Sequence, residues 1–163
     1  MELVTTIAAL LVAGSAYAQE AEPTRVVEGF EGPAQPKNIS FDAIGSLALN
    51  GRVPGLDARV LRSRVWTIEP GGVVPIHSHT NRPAFVYVLS GSLVEFRNTI
   101  PDGKRTNAGD LSAEGLGIVH YWRNDGKVPA ILFAVDLFED SKLKDLTPKS
   151  NVSSSEATPG ERM

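Results

Sequence analysis

Residues 71–91 read GGVVPIHSHTNRPAFVYVLSG, and the reading of this stretch decides the fold. It carries His77 and His79, two of the three histidines in the chain, between glycine-marked turns. On a strand, an i, i+2 pair points both imidazoles to one face. Phe85 to Leu89 (FVYVL) has the β-branched and aromatic composition of a strand, and Ser90-Gly91 turns it. The third histidine, His120, stands in a second Gly-punctuated run, GDLSAEGLGIVHYWRN, over residues 109–124. By spacing alone the pair fits two readings. One is a metal centre with His120 arriving from a neighbouring strand, for which neutral imidazoles suit Fe, Mn, Zn, Ni or Cu. The other is a hydrogen-bonded pair at a solvated edge.

Outward from this stretch the pattern stays β. From Arg59 to Ile68 side chains alternate, and Pro70-Gly71-Gly72 is expected to end that strand, leaving Val73 to His79 as a second, short one. Leu93–Phe96, Ile118–Arg123 and Ala130–Phe138 read as further strands, and Phe41–Leu49 as an edge strand. Turns are marked by Pro101-Asp102-Gly103, by Asn107-Ala108-Gly109-Asp110 and by Asn124-Asp125-Gly126. Strands recur without amphipathic helices between them, which predicts an all-β sandwich or barrel. Gly (15) and Pro (11) are frequent, as a chain of many short strands and turns requires.

The 163 residues suit one domain, with 42% apolar and 21% charged side chains. The net charge is −3 and no basic block is present, so nucleic acid is not an expected partner. Leu3 to Ala13 is an apolar run, and Ala16-Tyr17-Ala18 is a small-x-small cleavage pattern. Residues 1–18 therefore read as a secretory signal peptide, and the expected location is periplasmic or secreted, with no membrane association after cleavage. Residues 19–40 read as an extended lead-in, residues 41–146 as the folded domain, and the Ser/Thr/Pro/Glu-rich residues 147–163 as a disordered tail. Cysteine is absent, so neither a disulfide nor a lipid-modified thiol enters the design.

The glycines carry a family resemblance. Gly71, five residues, His77, one residue, His79 and eleven residues to Gly91 resembles the first motif of the cupin superfamily. Gly109, five residues, Gly115, one residue, Gly117, two residues, His120 and three residues to Asn124 is similar to the second. The resemblance implies a single small antiparallel jelly-roll barrel, with His77, His79 and His120 on metal-ligand positions. Two departures stand out. Gly115 occupies a position where the second motif has proline. Ala84 occupies the position, seven residues before Gly91, where the first motif supplies a glutamate ligand.

A site with only three neutral ligands leaves the charge of a divalent ion uncompensated and favours anionic groups at its open positions. It is similar to the arrangement of three-histidine cupin oxygenases, among them thiol and diketone-cleaving dioxygenases. That resemblance implies Fe(II), with Mn, Zn, Ni or Cu as other divalent occupants, and a small organic substrate. The alternative is a non-enzymatic exported protein that binds a metal or a small anion. Glu95, Glu114 and Asp136 are the carboxylates that could stand in for the missing one, although the ordinary placement for each is an exposed or rim position. By alternation, Val86 and Val88 point inward with position 84, and Trp122 with His120. Trp66 is expected on the same cavity, and Arg82 is placed to meet a substrate carboxylate. The resemblance also implies pairing of barrels through their sheets, so a homodimer is expected.

Overall fold

The structure, a computed structural model, describes residues 21–139 and 141. The expected signal peptide over 1–18 and disordered tail over 147–163 lie outside the described residues. Among the described residues the regular elements are strands, and they form a curled antiparallel half-barrel of the jelly-roll kind. In chain order they are β1 (Thr24–Val27), β2 (Phe30–Pro33), β3 (Lys37–Ala48), β4 (Arg59–Ser78), β5 (Ala84–Ser90), β6 (Ser92–Arg97), β7 (Ile100–Asn107), β8 (Leu111–Glu114), β9 (Val119–Arg123) and β10 (Ala130–Glu139). The main sheet runs β7-β6-β9-β4-β10-β5-β8, and β3 pairs with β4. The stretch read as a lead-in holds a separate β1–β2 hairpin, which packs on β4 and β9.

β4 organises the sheet. Its first half pairs with both β3 and β10, Ile68 facing Ile39 on one side and Ala130 on the other. Its second half pairs with β9, Val73 facing Arg123 and His77 facing His120. Pro70-Gly71-Gly72 does not end the strand, as the sequence suggested. It makes a corner through which one strand serves both halves of the sheet. Gly71 takes φ of 72°, a conformation that costs an L-residue a steric clash. At Gly72 a Cβ would lie 2.7 Å from the carbonyl oxygen of Glu69 and 2.8 Å from that of Asn38. Two adjacent glycines thus allow an extended chain to bend while its neighbours stay close.

The inner face follows strand alternation. On β10, Ala130, Leu132, Ala134, Asp136 and Phe138 are buried and the residues between them are not. On β5, Val86 and Val88 are buried while Phe85, Tyr87 and Leu89 are exposed, as the sequence predicts. Ile68, Leu93, Trp122, Ala130 and Leu132 join the two valines in one core cluster. Each large apolar side chain there contributes about 1.5–3 kcal/mol through burial. Trp66, Ile39 and Val74 pack against the edge of that cluster. There the core opens into a cavity of about 730 Å³.

Candidate metal centre

Two strands bring the histidines together at the cavity: the end of β4, with the residue just after it, supplies His77 and His79, and β9 supplies His120. His77 lies near the end of β4, and His79 follows it with its backbone N–H donated to the carbonyl of Ile118 at 2.8 Å. His120, on β9, is the cross-strand partner of His77. The ring centroids stand 4.6 Å apart for His77–His120, 4.8 Å for His79–His120 and 4.9 Å for His77–His79. One ligand nitrogen from each ring falls within 4.8 Å of the others.

Each ring is turned the same way. Nδ1 of His77 lies 2.8 Å from the carbonyl oxygen of Pro75, and Nδ1 of His79 lies 2.6 Å from that of Arg82. A carbonyl only accepts, so both Nδ1 atoms carry the proton and both Nε2 atoms carry a lone pair. Nδ1 of His120 lies 2.6 Å from a carboxylate oxygen of Glu95, which sets the same tautomer. The Nε2 atoms of His77 and His120 then approach to 3.1 Å with no hydrogen between them. Two acceptor nitrogens at that distance repel one another, and a cation beside them would relieve the repulsion. Burial, with the neighbouring positive groups, holds the imidazoles of His79 and His120 down to about 3 and that of His77 well below its ordinary value. All three rings are neutral donors at neutral pH, the state a divalent ion requires.

The carboxylates are where the ordinary expectation fails. Glu95, Glu114 and Asp136 are not exposed or rim residues: their exposures are 3%, 3% and 2%. Glu95 alternates with the core residue Leu93 on β6, and Glu114 alternates with buried Ser112 on β8. Glu114 is the last residue of β8, and one of its oxygens lies 3.2 Å from Nε2 of His79. Burial, reinforced by the charge of Glu95, pushes the Glu114 carboxyl up to about 8. Glu95 is also pushed upward by burial, against the pull of Arg97, whose Nε lies 2.7 Å from it. The period-two pattern Leu93-x-Glu95 and Ser112-x-Glu114 was the available signal for both placements.

Asp136 is held by a cluster of guanidiniums. Arg62 binds it in two-pronged fashion, at 3.0 and 2.6 Å. Arg64 reaches the same carboxylate at 3.0 Å and Arg82 at 3.5 Å. Three guanidiniums on one carboxylate leave a surplus of positive charge at the cavity. Arg64 is drawn down to about 10, chiefly by burial. Nε of Arg64 and Nη1 of Arg62 are buried without a hydrogen-bond partner among the described residues. Arg82 bridges the two groups, since its other nitrogen lies 3.5 Å from Nε2 of His79.

The residues expected on the pocket divide as follows. Arg82, Trp66, Trp122 and Val86 line the cavity together with His77 and His79. His120 is fully buried behind them, in edge contact with Trp122 at 5.9 Å between ring centres. Val88 is fully buried in the core cluster and does not reach the cavity wall, because it sits one pleat further from the histidines than Val86. Sequence reasoning missed the opposite wall, where Pro36, Ile39 and Phe41 come from β3 and the segment before it. Phe41 packs on Trp66 with ring centres 4.7 Å apart. The tryptophans line the cavity without filling it.

The family model described as Cupin domain matches residues 64–136. The matched region holds His77, His79 and His120 and is similar to that family. It is 36% identical over 109 residues to germin-like protein subfamily 2 member 1 of Arabidopsis thaliana, covering 64% of this chain and 50% of that protein. It is 30% identical over 100 residues to nectarin-1 of Nicotiana langsdorffii x Nicotiana sanderae, covering 60% of this chain and 44% of that protein. The chain thus spans about half the length of the curated relatives it matches. Among solved structures, the cupin domain of Schizosaccharomyces pombe Cnp3 is similar at a TM-score of 0.49 and 13% identity, with 68% of each chain covered.

Proposed function

We propose that this protein is an exported cupin that holds one divalent metal ion through His77, His79 and His120 and acts on a small organic anion in the adjoining cavity. The observation that carries the reading is the common orientation of the rings, each Nδ1 committed to an oxygen and each Nε2 left for a cation. Fe(II) is the favoured ion, since a neutral imidazole set with open positions supports oxygenase chemistry, and it would supply Lewis acidity and electrons to dioxygen and substrate. The chain's own residues bind and orient. Trp66, Trp122 and Val86 shelter an apolar body, and Arg82 receives a carboxylate or enolate beside the histidines. A volume of about 730 Å³ leaves room for substrate and dioxygen together. Export rests on the leader-like residues 1–18, and pairing with a second copy on the exposed apolar stripe Phe85, Tyr87, Leu89 and Leu111.

A second reading, a non-catalytic binder of a metal or small anion, is favoured by the surplus of guanidiniums, which would retain an anion without reacting with it. Metal analysis of the purified protein beside a His77→Ala/His79→Ala variant tests the shared part: metal in the wild type alone is expected, and equal metal in both refutes the site. Dioxygen uptake by the iron-loaded protein over a panel of small carboxylates and diketones then separates the readings. Substrate-dependent uptake supports the dioxygenase, and its absence throughout supports the binder.

A further inference from the structure

Ala84 and Glu114 are cross-strand partners, paired in register on β5 and β8. Ala84 is the position at which the first cupin motif carries its glutamate. Residues directly opposite on an antiparallel pair project to the same face with Cβ atoms about 5 Å apart. A glutamate side chain spans about that distance, so one rooted at 114 sweeps the space that one rooted at 84 would have filled. The methyl group of Ala84 leaves that space clear, and both residues line the cavity.

We infer that Glu114 is the fourth metal ligand of this site, supplying from β8 the carboxylate that β5 lacks. The inference rests on the histidine site proposed above and deepens it.

Three observations point to Glu114 and away from its neighbours. First, its carboxylate is buried yet has no lysine or arginine within ion-pair distance among the described residues. Its hydrogen-bonding contact is a long one of 3.4 Å from the Ser112 hydroxyl. A buried carboxylate without a cation is costly, and a bound metal removes that cost. Second, Glu114 approaches the metal-facing side of one ring, that of His79, while its other oxygen lies 3.7 Å from Nδ1 of His120. Its Oε2 lies 3.2 Å from Nε2 of His79, whose proton is on Nδ1, so the contact is held either by a proton on the carboxyl or by a cation that takes that proton's place. Third, the other acids are committed. Glu95 lies behind His120, on its Nδ1, and is paired with Arg97, while Asp136 is enclosed by Arg62 and Arg64. A carboxylate in the set lowers the net charge that three neutral rings would leave on the ion, and so changes the ligand field the protein offers.

The test uses the full-length protein freed of metal, with Co(II) as the probe, followed by equilibrium dialysis and by the visible absorption of the bound ion. Glu114→Gln keeps size and an amide that can donate to His79, and it removes a buried acid, so its metal-free melting temperature should equal or exceed that of the wild type. Its Co(II) affinity should fall by more than the roughly 10- to 100-fold that loss of an outer-sphere partner costs, and the Co(II) spectrum should change. Moving the carboxylate back across the ladder, in the Ala84→Glu/Glu114→Ala double variant, should restore affinity to within about 10-fold of the wild type, less than one outer-sphere partner's worth. Wild-type affinity and spectrum in Glu114→Gln would overturn the assignment while leaving the histidine site intact. A double variant that folds but binds as weakly as Glu114→Gln would also overturn it, because the two positions would not be interchangeable. Failure of the wild type itself to bind Co(II) refutes the histidine site, a result distinct from either.

Discussion

Glu95 on β6 holds His120 on β9 from behind, its carboxylate 2.6 Å from Nδ1 and on the far side of the ring from the other histidines. The contact fixes the tautomer and the tilt of the one fully buried imidazole in the site. Arg97 on the same strand holds that carboxylate in place at 2.7 Å and partly offsets the effect of its burial. Glu95→Ala should therefore weaken metal binding by about 10- to 100-fold without removing it. Glu95→Gln, which can still accept from Nδ1–H, should recover part of the loss. Dialysis against a competing chelator measures both, and the partial recovery distinguishes positioning of His120 from a general loosening of the fold.

Asp136 is the common counter-ion of Arg62, Arg64 and Arg82. Replacing it with alanine strands buried guanidiniums, and breaking a buried pair from one side costs about 3–5 kcal/mol. Chemical denaturation should show a loss of that order, larger than for any exposed carboxylate such as Asp125.

The same residue gives an acid dependence. Burial alone would raise the Asp136 carboxyl, but the hydrogen bonds of Arg62 and the charges of Arg64, Arg62 and Arg82 outweigh it, and the net displacement is downward. A carboxyl depressed in the folded state contributes stability above its unfolded value, and that stability is lost as pH falls through the folded one. Melting temperature should therefore drop below about pH 4, and the slope in that window should be shallower in Asp136→Asn. An unchanged slope would count against the charge cluster as its source.

Arg82 reaches from the charge cluster to the histidines and is the most exposed of the three guanidiniums, at 25% for its side chain. Arg82→Met should leave metal content near wild type and weaken binding of small carboxylates by about 10-fold or more, the equivalent of one charge-assisted hydrogen bond. Amides of the same acids should bind both proteins alike. Calorimetric titration with each acid–amide pair checks this.

The corner in β4 supplies a test of the scaffold. Gly72→Ala puts a methyl group 2.7 Å from one backbone oxygen and 2.8 Å from another, so the chain must shift. A cost of about 1–3 kcal/mol is expected, as for overpacking elsewhere. The bend sets where Val73–Ser78 lie against β9, so metal affinity should fall together with stability.

Much of this molecule was legible in a linear reading. Strand alternation located the inward faces of β5 and β10, because a period of two depends only on neighbouring residues. The spacing His77-x-His79 put two imidazoles on one face for the same reason, and the glycine pattern around them, with that around His120, pointed to the cupin barrel. Local pattern misread Pro70-Gly71-Gly72 as an ending. Whether glycines stop a strand or bend it depends on what pairs beyond them, and here that is β9.

The carboxylates mark the boundary between the two kinds of information. Nothing in residues 111–114 by themselves says that Glu114 will stand opposite Ala84, or that Glu95 will sit behind His120. Those relations follow from the register of strand pairs remote in sequence, β5 with β8 and β6 with β9. Register is set by the packing of the whole inner face, since a slip of one residue would turn every side chain to the other side. The sequence by itself therefore determined the barrel, the three histidines and the absence of a carboxylate at position 84. Only the tertiary structure decided that three acids are buried around them, because a charged side chain tolerates burial only where the fold assembles its partners.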